Sequence, residues 1–146
     1  SNQEYETELI AVNKNNAIVK TKQFSDHNIE SPLKIHLGQG ICRGEKMDYV
    51  IQKAVELGVS KITPIFSENC NVKLNKERLQ KKQERWQAIA ISACEQCGRN
   101  YIPHIFTPKH LNDWLAQDHL GIKFVLHPEA QATIKQQKQN IKQYLI

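Results

Sequence analysis

The chain has 146 residues, enough for one ordinary domain or for a small core with a piece of a second. Hydrophobic residues make up 40% and charged residues 24%, the balance of a globular protein, and no apolar run is long enough to cross a bilayer. Twenty Lys and Arg against fifteen Asp and Glu leave a net charge of +5, which suits a polyanionic partner without requiring one. No signal peptide opens the sequence, so Cys42, Cys70, Cys94 and Cys97 are expected to be reduced thiols in a cytoplasmic protein.

Tyr5 to Val12 alternates as a strand, and Ala17 to Lys22 is a second β-rich run. Asn13-Lys14-Asn15-Asn16 between them predicts a hairpin turn with Asn at positive φ. An isolated hairpin is marginal, so these strands are expected to belong to a larger sheet. A polar stretch from Ser25 to Pro32 then reads as a linker.

Leu33 to Leu37 predicts a strand ending in Gly38 and Gly40. Met47, Val50, Ile51, Ala54, Val55 and Gly58 fall at i, i+3, i+4, i+7, one face of a helix that Gly58 can terminate. Lys61 to Phe66 is a second strand, with Pro64 arguing for a sheet edge or a bulge. Asn75 is a candidate N-cap for a long helix ending at Cys97, with Gly98 just beyond. Its inner stripe is Leu79, Trp86, Ile89, Ala90, Ala93, Cys94 and Cys97.

Ile102 to Phe106 predicts a third strand, and Thr107-Pro108 an N-cap and first-turn proline for a short helix with Leu111, Trp114 and Leu115. Ile122 to Leu126 is a fourth strand, apolar enough to be buried on both faces. The order β-α-β-α-β-α-β implies an α/β fold with a mostly parallel sheet. The final Tyr144-Leu145-Ile146 reads as the start of a buried strand, and both ends of the chain read as cuts.

Two strings carry a family resemblance: LGQGICRGEKMDYVIQKAVELGVSKITPIFSENCNVKL from Leu37, and WQAIAISACEQCGRNYIPHI from Trp86. Glu95, Gln96, Gly98, Arg99 and Pro103 at this spacing, with Leu126-His127-Pro128 further on, resemble the RsmE family of ribosomal RNA uridine-N3 methyltransferases, of the knotted SPOUT class. The resemblance implies a SPOUT α/β knot domain over residues 32–146, preceded over 1–31 by remnant strands of a PUA-like barrel. It implies S-adenosylmethionine as methyl donor, 16S RNA of the small ribosomal subunit as substrate, and a homodimer, with neither DNA nor a membrane as partner. The family's Gly-Pro-Glu-Gly-Gly turn and Leu-Gly-x-Arg-x-Leu-Arg segment, which form the knot and most of the donor pocket, do not occur in this sequence. The 146 residues alone are therefore expected to be inactive, and a non-catalytic RNA-binding α/β module is the alternative. A flavodoxin-like regulatory domain is disfavoured, because the acidic cluster of such receivers at strand ends is absent.

Methylating uridine N3 needs in-line positioning of the methyl and an acceptor for a weakly acidic proton. The resemblance offers Glu95 as acceptor, with Gln96 and Arg99 orienting the base or backbone; alternatively, Glu95 and Arg99 are an i, i+4 pair that stabilises a helix end. Leu126, His127 and Pro128 either contact the donor or form an ordinary strand-terminating turn. Arg78, Lys81, Lys82 and Arg85 share a helix face that is either a solvated surface or a grip on RNA phosphates. Arg43 and Lys46, at a strand-to-helix junction, and Lys53 are further RNA candidates. Cys94-x-x-Cys97 lies at a helix end on the apolar face, so it is read as buried hydrophobes and no metal site is expected.

Overall fold

The computed structural model describes residues 4–25, 29–66, 76–117, 121–127, 129–131 and 143–145. The expectations for Asn75, Cys70 and Pro128 lie outside them. Strands β1 (Glu4–Val12) and β2 (Ala17–Ser25) form an antiparallel hairpin that stands as its own two-stranded sheet. Among the described residues no further strand joins it, and its apolar side chains, Leu9, Ile10, Val12 and Val19 among them, are exposed. Its own ladder, a Lys22–Glu8 ion pair at 3.2 Å and the Tyr5–Phe24 ring contact hold it. The turn differs from expectation: Asn13 N–H donates to Asn16 O at 2.8 Å, and none of Asn13, Asn15 and Asn16 takes positive φ.

The remaining strands make one parallel sheet. They are β3 (Lys34–Gly40), β4 (Lys61–Phe66), β5 (His104–Ile105), β6 (Lys109–His110), β7 (Ile122–Lys123) and β8 (Gln143–Leu145). The order is β5-β4-β3-β8-β7, with β6 continuing the β5 edge along β4. The parallel α/β class read from the sequence is thus the observed one. The terminal strand pairs on both sides, Ile35 with Tyr144 on β3 and Ile122 with Tyr144 on β7.

Helices α1 (Lys46–Glu56) and α2 (Lys76–Cys97) lie against one face of the sheet. The α1 stripe buries Met47, Ile51, Ala54 and Val55 against Ile62, Ile105, Trp86, Ala90, Ala93 and Cys94, because 3.6-residue spacing keeps those positions on one side. Gly58 (φ 91°) and Gly98 (φ 74°) follow the two helices in the left-handed conformation that side chains resist. On the opposite face, α3 (Leu111–Leu115) lays Trp114 across Gly38 and beside Ile65. A Cβ on Gly38 would stand 2.3 Å from the indole, which is why β3 runs through a glycine there.

Three sequence expectations change. Pro64 sits in β4, which is paired on both sides. Ile65 O accepts from Ile41 N–H on the β3 side, so by strand alternation the Pro64 nitrogen points the other way. There it meets the interruption between β5 and β6, where no N–H is required. Next, Thr107-Pro108 does not open a helix: Lys109 and His110 first pair with Ile65 and Phe66, and His110 stands at the N-cap. Last, the fourth strand is not buried on both faces. Only Ile122 and Lys123 pair, at the sheet edge, and Val125 and Leu126 are 83% and 69% exposed.

Candidate functional site

A parallel sheet gathers the carboxyl ends of its strands along one edge, and ligands of open α/β sheets bind where the chain order reverses. Here the chain proceeds from β3 outward through β4 and β5, then returns to the other side of β3 as β7 and β8. The reversal lies between β3 and β8, so the candidate crevice opens beyond Gly40 and Leu145. Arg43 and Lys46 stand exposed at that edge, between β3 and the first turn of α1. Leu126 and His127 reach the same edge from β7, two strand spacings from β3, or about 10 Å. The His127 turn is closed by Glu129 N–H to His127 Nδ1 at 3.2 Å and Ala130 N–H to His127 O at 3.1 Å.

Glu95, Gln96 and Arg99 lie elsewhere. α2 starts after the carboxyl end of β4 and finishes before β5, whose His104 pairs with Lys61 at the amino end of β4. The end of α2 is therefore at the amino edge of the sheet, about 20 Å from the crevice by the length of β3. Within one chain the proton-acceptor candidates and the donor-site candidates do not meet.

Arg99 is not aimed at solvent. Its Nη2 donates to Glu30 Oε2 at 2.6 Å and its Nε to both Glu30 oxygens, while Nη1 donates to Val55 O at 2.7 Å and Val59 O at 3.0 Å. Both side chains of this pair are 7% exposed. Neither alternative read from the sequence foresaw this, because the partner of Arg99 is Glu30 in the polar linker and not Glu95. Glu95 and Gln96 are exposed. Glu95 and Arg99 line a shallow cavity with Glu4 and Asn100, whose side chains bond at 2.6 Å and tie β1 to the end of α2.

The basic candidates divide. Lys53 is held by Glu56 at 2.7 Å and lies 5.7 Å from the Tyr49 ring; the hydrogen bond to Glu56 raises its pKa. Arg85 pairs with Asp48 across the two helices. Lys82 lies over the Trp86 ring at 5.6 Å, and Arg78 and Lys81 are exposed on the same stripe. Cys94 is buried and Cys97 partly so; both are free thiols, and burial pushes the Cys94 pKa up.

Sequence reading missed Gln83 and Gln87. Gln87 Oε1 accepts from Ile105 N–H at 3.0 Å and its Nε2 donates to Pro103 O at 3.0 Å, while Gln83 Nε2 donates to Ile105 O at 2.9 Å. Two amides one helical turn apart thus stand in for a neighbouring strand along β5. Their i, i+4 spacing beside a short strand was the available signal.

Solved structures share this architecture. A methyltransferase from Legionella pneumophila, solved with SAM bound, superposes with a TM-score of 0.83 at 40% identity over 99% of this chain and 60% of that one. The ribosomal RNA small subunit methyltransferase E of Neisseria gonorrhoeae, solved with S-adenosyl methionine, gives 0.83 at 31% identity over 99% and 61%. The fold is that of a SPOUT-type methyltransferase domain. The profile of the RNA methyltransferase domain family matches residues 29–146, and the chain belongs to that family. The relative from Buchnera aphidicola subsp. Acyrthosiphon pisum, named ribosomal RNA small subunit methyltransferase E, is 44% identical over 121 residues, 81% of this chain and 48% of its own length. The chain spans about half the length of the curated relatives it matches.

Proposed function

We propose that this chain is the core of an enzyme that transfers the methyl group of S-adenosylmethionine to N3 of a uridine in 16S ribosomal RNA, as a cytoplasmic homodimer. The observation that carries the reading is the family match over residues 29–146 on a sheet whose switch point opens beside Arg43 and His127. Among the described residues no helix is long and apolar enough to cross a membrane. Residues 1–31 are taken as the remnant of the RNA-gripping barrel and 32–146 as the methyltransferase part.

The exposed edge beyond β7 suits the donor. Val125 and Leu126 offer apolar surface to a purine ring. Leu126, His127 and Pro128 would hold the donor, which when bound supplies an electrophilic sulfonium methyl. Glu95 accepts the N3 proton as the nitrogen lone pair becomes available, and Gln96 orients the base. Arg99, its donors occupied by Glu30, Val55 and Val59, works as a positioning residue that fixes the helix end carrying Glu95. Because that end is remote from the crevice of its own chain, Glu95 and Gln96 serve the crevice of a second copy, which makes the dimer part of the proposal.

The test is methyl transfer from labelled donor to small-subunit particles from cells deleted for this gene, using the longest product of the gene. Incorporation with a reverse-transcription stop at a uridine is expected, because N3 methylation blocks base pairing. Incorporation at another base or into large-subunit RNA overturns the reading. RNA binding without catalysis is the second reading for the 146 residues alone, favoured by the absent Gly-Pro-Glu-Gly-Gly and Leu-Gly-x-Arg strings.

A further inference from the structure

We infer that the first turns of α2, through Arg78, Lys81 and Lys82, overhang the carboxyl edge of the sheet and grip RNA phosphates beside the crevice. The inference rests on the RNA reading above and adds a surface to it. α1 and α2 both run from the carboxyl edge to the amino edge, since each connects the end of one parallel strand to the start of the next. Their relative height is fixed by the Arg85–Asp48 pair: Asp48 is in the first turn of α1, whereas Arg85 is nine residues after the start of α2. At about 1.5 Å per residue, α2 therefore projects roughly 10 Å beyond the start of α1, past the edge where Arg43 and Lys46 stand.

The side chains on the projection are not randomly arranged. Gln83 and Gln87 turn toward β5, which leaves the i, i+3, i+4, i+7 stripe of Arg78, Lys81, Lys82 and Arg85 on the flank shared with α1. Residues 76–85 carry five basic and two acidic groups, and one of those acids, Glu84, is engaged by Gln80 at 2.9 Å away from the stripe. Lys82 is steadied over the Trp86 ring and Arg85 by Asp48, so the stripe stands on two fixed supports. A basic wall next to a crevice that must admit one nucleotide has the chemistry to hold the backbone on either side of it. Lys53, farther along α1 and neutralised by Glu56, falls outside this surface.

The experiment measures binding of the 146-residue chain to a fluorescein-labelled transcript of small-subunit RNA as salt is varied. The variant is R78Q/K81Q/K82Q, and the control is K34Q/K61Q, which removes charge from exposed residues that start β3 and β4 at the opposite, amino edge of the sheet. We expect the first to bind about tenfold or more weakly at 0.1 M salt, with a log–log salt slope reduced by about two, and the control to stay within about twofold of wild type. Equal losses in both variants, or wild-type binding in the first, overturn the overhang while leaving the RNA reading intact. No RNA binding by the wild-type chain overturns the overhang and the second reading, while the methyltransferase reading is decided separately by the assay on the longest product of the gene. Melting curves check the fold, and K81E, at an exposed position away from Trp86, repeats the test if the triple variant is unstable.

Discussion

Arg99 and Glu30, 69 residues apart in the chain, close on each other at 2.6 Å with both side chains almost fully buried. The same guanidinium bonds the carbonyls of Val55 and Val59, so one side chain joins the linker, the end of α1 and the start of β4. The pair also anchors the end of α2 on which Glu95 stands.

Breaking this pair from either side leaves a buried charge without its partner, which costs on the order of 3–5 kcal/mol. R99M and E30Q are therefore each expected to lower the denaturation midpoint strongly, and R99M also strands the carbonyls of Val55 and Val59. A double-mutant cycle by urea denaturation should give a large coupling. Wild-type stability in both single variants would refute the assignment.

The Gly38–Trp114 contact predicts that Gly38→Ala cannot be accommodated without moving the indole. Overpacking of this kind costs about 1–3 kcal/mol. The Trp114 emission should shift toward that of an exposed indole in the variant, and Trp114→Leu should relieve most of the loss. An unchanged spectrum and midpoint would contradict the packing.

Gln87→Leu removes both hydrogen bonds to the β5 edge, leaving Ile105 N–H and Pro103 C=O unmatched. The expected cost is about 1–3 kcal/mol, with faster hydrogen exchange at Ile105 and more self-association, since an open strand edge templates pairing. Exchange rates and light scattering read the two effects separately.

Burial raises the Cys94 pKa, with the Arg99 charge acting in the opposite direction but more weakly. An acid with a raised folded-state pKa contributes stability that is whole below its unfolded pKa and is lost as pH rises through the folded value. The destabilisation by Cys94→Ala should therefore shrink as pH rises above the ordinary thiol range, about 8.5. Cys94 should resist alkylation until the chain unfolds, and purified protein should carry far less than one zinc per chain by elemental analysis.

The 146 residues alone should not bind S-adenosylmethionine at micromolar concentrations, because the two strings that complete the family's donor pocket are missing from the sequence. Titration calorimetry with heat at a micromolar midpoint would show that the edge at Leu126 and His127 suffices by itself.

What the sequence determined by itself was local and periodic. The apolar spacing from Met47 to Val55 produced α1, glycines 58 and 98 ended the helices at positive φ, and the alternation of helices and strands produced a parallel sheet. These follow from forces within a few residues, which a sequence displays directly. The strings from Leu37 and Trp86 made the family legible, but not which residues meet. Only the tertiary structure decided that β8 enters between β3 and β7, that Pro64 faces a gap in the edge strand, and that Glu30 takes Arg99 from Glu95. It also put Glu95 and His127 at opposite edges of one sheet. Strand order and buried pairing depend on contacts between distant segments, which compete for partners only once the chain is compact, and no local spacing records the outcome.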